Sequence, residues 1–180
     1  TGSGISRSTA QQTVGAASLL VDPANSVAGE GVYWESPTIP YSVNPQFLSV
    51  QVEHKGASAS GAVKIEIRDA AGTTVLAASD SSDLTAGWVR ITASYAVSPS
   101  STPVAYRLYV TTVTNHNINF YLDKIMFEVR EDTLIVSTYV DGSSGINYKW
   151  SGTADASTSI KRPAMTIIKG IKVTNESTTS

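Results

Sequence analysis

The stretch FLSVQVEHKG, Phe47–Gly56, puts Leu48, Val50 and Val52 in one phase and Ser49, Gln51 and Glu53 in the other. Successive side chains of a strand point to opposite faces, so a period of two describes a ribbon with one dry face and one wet face. Three more stretches repeat the pattern. AVKIEIRDAAG alternates Val63, Ile65 and Ile67 against Lys64, Glu66 and Arg68. WVRITASYAV sets Val89, Ile91, Ala93, Tyr95 and Val97 against Arg90, Thr92 and Ser94. VAYRLYVTTV sets Val104, Tyr106, Leu108 and Val110 against Arg107, Tyr109 and Thr111. Half-wet strands of this kind belong to antiparallel sheets.

Between these stretches lie turn residues. Asp69-Ala-Ala-Gly72 is a tight turn ending on glycine, and Asp83–Gly87 and Ser98–Pro103 read as loops. No long stretch has a helical period with caps. The expected fold is an all-β, antiparallel sandwich. In INFYLDKIMFEVR, Ile118, Phe120 and Leu122 share a phase, while Ile125, Phe127 and Val129 share the other. One residue must be inserted near Asp123-Lys124, most simply as a β-bulge, which re-aims a side chain.

After Arg130 the texture changes. EDT is a polar break, LIVSTYV reads as a short strand, DGSSG as a turn and INYKW as another strand. SGTADASTS has no hydrophobic pattern, and AMTIIKGIKVTNESTTS holds one apolar run, which could pair with a neighbouring chain. The chain thus divides into an arm or linker over 1–10, a main domain over 11–130, and a C-terminal hairpin with an extended segment over 131–180.

The chain has 180 residues, a net charge of −2 and no cysteine, so disulfides and thiolate metal sites are excluded. Hydrophobic residues at 41% suffice for a core, and charged residues at 16% leave a neutral, hydroxyl-rich surface. Lys and Arg form no basic run, which argues against nucleic acid or an anionic membrane as partner. No apolar stretch approaches the roughly 20 residues that span a bilayer.

The catalytic signatures sought are missing: no G-x-S-x-G elbow, no H-E-x-x-H and no P-loop occurs. His54 ends a strand and His116 lies in the turn TNHNI, and neither has a partner in sequence that would make it a base. Glu66, between Lys64 and Arg68, reads as a solvated surface residue. The chain is therefore expected not to be an enzyme, and Asn175-Glu-Ser177 reads as a chance glycosylation sequon.

Sugar binding needs other groups. Pyranose C–H faces stack on aromatic rings, and charged and amide groups bond the hydroxyls. Eight Tyr and three Trp are available. Tyr33-Trp34 lies between two candidate strands, and since neighbours on a strand point to opposite faces, one of the pair is expected in the core and the other outward. Arg107 and Tyr109 share a wet face suited to a ligand groove. Tyr148 and Trp150 are in phase on their short strand and form a possible two-ring platform. For each of these aromatics the alternative is packing or a subunit contact.

From Gln11 to Arg130 the sequence resembles the jelly-roll carbohydrate-binding modules of the group covering families 4, 9 and 22. The telling pieces are Gly87-Trp88-Val89-Arg90 and Phe120-Tyr121-Leu122-Asp123. The resemblance implies a jelly-roll sandwich and a structural role for Trp88. It also implies a calcium ligand at Asp123. Such modules open on a strand with an asparagine and a Phe-Glu pair that completes the calcium site, where this chain has TGSGISRST.

Tyr139, Asp141-Gly142, Trp150, Gly152-Thr153 and Ala156–Ser159 are similar to a C-terminal motif that follows these modules in bacteriophage tail proteins. The chain departs from that motif at Val140 and Ala154-Asp155. What this second resemblance implies is a virion tail component (tail tip, baseplate or accessory fibre) that binds host-surface polysaccharide without catalysis. It would sit among other tail subunits as a homo-oligomer, in the virion or otherwise extracellular. The alternatives are a purely structural tail connector or decoration protein, and the binding module of a secreted glycan-degrading enzyme.

Overall fold

A computed structural model describes residues 4–36, 38–39, 42–57, 61–97, 104–131 and 134–140, and the backbone of two short strands at 148–150 and 159–161. It divides into two units, Thr1–Tyr139 and Val140–Ser180.

Among the described residues the first unit holds ten strands: β1 (Gly4–Ser8), β2 (Ser18–Asp22), β3 (Gly31–Glu35), β4 (Gln46–Gly56), β5 (Ala62–Arg68), β6 (Val75–Ala78), β7 (Ser82–Asp83), β8 (Val89–Val97), β9 (Arg107–Thr112) and β10 (Phe120–Arg130). One antiparallel sheet runs in the order β1-β2-β10-β4-β8, and the other in the order β3-β9-β5-β6, with β7 also on β5. No helix occurs among the described residues. The dry phases meet between the sheets. Leu48, Val50, Val52, Val63, Ile65, Ile67, Leu108, Val110 and Phe120 are all fully buried there. At about 25 cal/mol per Å² of apolar surface removed from water, this shared layer is the main term holding the sheets together.

The bulge falls where the parity break puts it. Asp123 pairs with Glu53 and Met126 with Gln51, so Lys124 and Ile125 stand opposite one residue of β4, and Lys124 takes φ 49°. The re-aimed Asp123 carboxylate receives the backbone N–H groups of Thr13 (2.7 Å), Val14 (3.2 Å) and Lys124 (2.7 Å) and the Thr13 hydroxyl (3.1 Å). It pins the loop after β1 to the bulge.

Three expectations change. Residues 1–10, expected as an arm, include β1, which pairs with β2 from Gly4↔Asp22 to Ser8↔Ser18. This edge strand is exposed along most of its length, so it has no dry phase for a sequence pattern to reveal. The first unit runs past Arg130 to Tyr139. And LIVSTYV, expected as a strand, makes no ladder over its described length. It crosses the outer side of the first sheet as a strap. Ser94 donates to the Leu134 carbonyl at 2.8 Å and Arg90 to the Ser137 carbonyl at 2.6 Å, and the Ser137 N–H reaches Glu128 at 3.3 Å. Ser49, on the nominally wet phase of β4, is fully buried with the Leu134 carbonyl 3.5 Å from its hydroxyl.

His54 closes the dry phase of β4. It is fully buried, and its Nε2 lies 2.8 Å from the Ser82 hydroxyl on β7 of the other sheet.

In the second unit, β11 (Tyr148–Trp150) pairs antiparallel with β12 (Ser159–Lys161), from Tyr148↔Lys161 to Trp150↔Ser159. The INYKW strand was expected, whereas its partner begins at the end of the patternless SGTADASTS segment.

Candidate functional site: the outer face of the second sheet

The registers of β3, β9 and β5 fix a three-by-three array on the wet side of the second sheet. Gly31, Thr111 and Lys64 form one row, Tyr33, Tyr109 and Glu66 the next, and Glu35, Arg107 and Arg68 the third. Residues directly opposed on one face have their Cβ positions about 5 Å apart, so the side chains of the second and third rows are within reach of one another.

In the middle row the Tyr33 and Tyr109 rings stack, with centroids 5.0 Å apart and planes 22° from parallel. From the β5 side the Arg68 guanidinium lies 4.1 Å from the Tyr109 ring centre, and the Arg107 guanidinium lies 5.0 Å from that of Tyr33. Such cation–ring contacts contribute about 0.5–1 kcal/mol at exposed sites. Tyr33 remains 48% exposed, so this array offers solvent a large ring surface.

Two arginines opposite each other would repel, and each carries its own carboxylate. Glu66 is the inner one, only 5% exposed, with one oxygen 2.6 Å from Lys64 and the other bonded by Arg68 through Nε and Nη2. Burial pushes its carboxyl up, but the bonds and charges of Lys64 and Arg68 outweigh this and hold it below the ordinary carboxylate range. Glu35 is the outer one, and its side chain is 62% exposed.

The β5–β6 turn braces both arginines. Arg107 Nη1 donates to the Ala71 carbonyl at 2.9 Å, and Arg68 Nη1 to the Gly72 carbonyl at 3.2 Å. Gly72 is required here: its φ is +77°, and a Cβ would lie 2.5 Å from the Tyr109 hydroxyl and 2.8 Å from Arg107 Nη1. Asp69 ties the turn, its Oδ1 accepting from Thr73 N (2.8 Å) and Thr74 N (3.2 Å). The Thr74 and Thr73 N–H groups hold its carboxyl down to about 2, so the tie is complete above the ordinary value of 3.8 and is lost as pH falls through about 2. Asp69→Ala should therefore speed amide hydrogen exchange at Thr73 and Thr74. Asp69→Asn, which keeps an Oδ1 acceptor, should largely restore protection. Equal exchange in the two variants would reject this role.

The sequence-derived candidates are thus distributed unevenly. Tyr33, Arg107 and Tyr109 come together on this face. Trp34 lies on the opposite side of β3, packed against the core, and so leaves the candidate set. Alternation required one of the Tyr33-Trp34 pair to turn inward, and the register makes it the tryptophan. Tyr148 and Trp150 are on β11, and their side chains lie outside the described residues. Asp123 sits in the other sheet. Its carboxylate is met by N–H and O–H donors, and among the described residues no cluster of three or more His, Cys, Asp or Glu could hold an ion. Calcium requires 6–8 oxygen ligands, so the donor set at Asp123 does not fit the expected ion.

Glu66, Arg68 and Lys64 were missed. Their signal was present, because Lys-x-Glu-x-Arg on one strand places two cations beside one carboxylate on a single face.

No family model matches the sequence, and no curated protein matches it. Solved structures do share the fold. The xylan-binding CBM22-1 domain of Xyn10C from Paenibacillus barcinonensis is 19% identical over 72% of this chain and 81% of its own, with a TM-score of 0.50. The C-terminal family 22 carbohydrate-binding module of Clostridium thermocellum Xyn10B is 22% identical over 74% and 85%, with a TM-score of 0.51. A cyclase from Fischerella sp. is 14% identical over 72% and 74%, with a TM-score of 0.55. The fold therefore accommodates binding modules and an enzyme, and the choice between them has to come from the site. The chain is an all-β protein with the jelly-roll sandwich architecture of carbohydrate-binding modules.

Proposed function

We infer that the first unit binds a glycan non-catalytically on the outer face of its second sheet. The observation that carries this is the half-exposed Tyr33 ring, stacked on Tyr109 and bordered by Arg107, Arg68, Glu66 and Lys64. The ring offers an apolar surface to pyranose C–H groups, and the charged groups donate to and accept from hydroxyls. Glu66 is engaged by two cations, which suits a fixed recognition element rather than a proton carrier. Each such contact is weak, and repeated copies would raise avidity.

Affinity electrophoresis against a panel of soluble polysaccharides tests the reading. At least one should retard the protein, and Tyr33→Ala should weaken binding about fivefold, as stacking of this kind contributes roughly 1 kcal/mol. Unchanged retardation in Tyr33→Ala, or none with any polysaccharide, would reject it.

The host-surface glycan and the phage tail rest on the C-terminal resemblance alone, whose residues fall largely outside those described. Loss of virion adsorption on deletion is the outcome that reading requires. A connector role is the second reading, favoured by Leu134 and Ile135 on the strap, 46% and 74% exposed. It requires subunit association that fails when Ile135 is made polar and survives Tyr33→Ala.

A further inference from the structure

The two arginine–glutamate pairs of the face are chemically alike and physically different. In the inner pair, Glu66 is buried, shared with Lys64, and fixed. In the outer pair, Arg107 meets an exposed glutamate through one edge of its guanidinium. Nε lies 3.1 Å and Nη2 3.0 Å from the same oxygen, Oε1 of Glu35. A carboxylate placed head-on to that edge would receive one N–H on each oxygen, the stronger, bidentate arrangement. Glu35 therefore uses only part of what the guanidinium offers, and an exposed ion pair of this kind holds weakly. The guanidinium does not depend on Glu35 for its position, because Nη1 is bonded to the Ala71 carbonyl of the braced turn at 2.9 Å. It also lies 5.0 Å from the centre of the half-exposed Tyr33 ring.

We propose that Arg107 is an exchangeable seat for a sugar carboxylate: Glu35 occupies it in the free protein and yields to the uronic acid of an acidic glycan whose ring stacks on Tyr33. This rests on the glycan-binding reading and names its ligand class. Exchange of one carboxylate for another keeps Arg107 paired throughout, and the charge left without a partner is that of Glu35, which is solvated rather than buried. The displaced Glu35 turns into water, where its 62% exposed side chain already largely lies.

The test uses the full chain with three probes: an oligogalacturonate, its methyl ester and a neutral xylo-oligosaccharide. The ratio of affinities for acid and ester isolates the carboxylate, since the rings are otherwise the same. That ratio should be about tenfold in the parent protein, the value of a charge-assisted bond, and should fall with added salt. Glu35→Gln removes the competitor and should raise the ratio about threefold. Arg107→Gln should bring it to about one, with the fold checked by circular dichroism. An acid-to-ester ratio of one in the parent, or a preference that survives Arg107→Gln, overturns the proposal and leaves glycan binding standing. Failure of all three probes and of the polysaccharide panel overturns both.

Discussion

Acidification from about pH 7 to about pH 4 is expected to remove about 3 kcal/mol of the first unit's stability, and His54→Gln is expected to abolish most of that loss. His54 is fully buried on the dry side of β4, and burial lowers its pKa from 6.5 to about 4. The unfolded chain takes up a proton near 6.5, whereas the folded chain refuses it until about 4. Between those values the unfolded state holds the extra proton, so stability rises with pH across the window and is lost as pH falls through it. At 1.36 kcal/mol per unit, a lowering of this size gives about 3 kcal/mol. The structural cause is specific. Nε2 is used by Ser82 at 2.8 Å, while Nδ1 is buried without a partner among the described residues. The imidazolium carries an N–H on both ring nitrogens, and the one on Nδ1 has no acceptor among the described residues. Ser82 pairs with Val63 of β5, the strand that carries Lys64, Glu66 and Arg68, so the strain falls behind the Tyr33–Arg107 face. Glu66, held below its ordinary value of 4.5, and Asp69, held down to about 2, add their own loss only at the acid end of this window, so the loss between about pH 6.5 and 5 reports His54. Urea unfolding at several pH values measures it. An identical slope in the parent and in His54→Gln would show that other groups cause the loss.

The fold was legible wherever a strand buries one face and wets the other. FLSVQVEHKG, AVKIEIR and VAYRLYVTT announce their dry phases because those phases meet across the sandwich, and the parity break at Asp123-Lys124 announces the bulge. Where that condition fails, the pattern fails with it. β1 is bonded through its backbone and is exposed along most of its length, so any polar sequence would serve. The strap over 134–139 is rich in β-branched residues, yet it forms no ladder, and side chains of the first sheet, Ser94, Arg90 and Glu128 among them, bond its backbone. Alternation also cannot distinguish a bare outer face from a covered one. Ser49, Glu66 and Thr111 all sit on wet phases, and all are at least 95% buried. For Glu66 this decided the reading, since a carboxylate buried beneath Lys64 and Arg68 looks the same in sequence as a solvated one. Tyr33 and Tyr109 each stand out in the sequence as ring candidates, but their contact depends on the register of β3 against β9, which no local pattern carries.

Gly31→Ala should detach the edge of the face. Gly31 heads β3 opposite Thr111, and a Cβ there would fall inside the Val110 carbonyl oxygen and lie 2.9 Å from the Thr111 Cα. These are backbone atoms of the neighbouring strand, so no rotamer change relieves the overlap and β3 itself must move. In the sheet order β3-β9-β5-β6 the strand lies at the edge and, among the described residues, pairs with β9 alone, so no second ladder holds it in place. Separation from β9 takes Tyr33 off Tyr109 and Glu35 off Arg107 on the outer side, and draws Val32 and Trp34 from the core on the inner side. The expected loss is about 3 kcal/mol, the upper range for forcing an atom into a packed site, and glycan binding should vanish even while the unit stays folded. Gly87→Ala is the matched control. Its Cβ would meet nothing within 4 Å, so it should leave stability within a few tenths of a kcal/mol of the parent. Urea unfolding gives the stabilities, and NMR contacts between the Tyr33 and Tyr109 rings report the stack. A Gly31→Ala protein with the control's stability and the stack intact would mean that β9 adjusts to β3, and that the Tyr33–Tyr109 face does not depend on this close approach of two backbones.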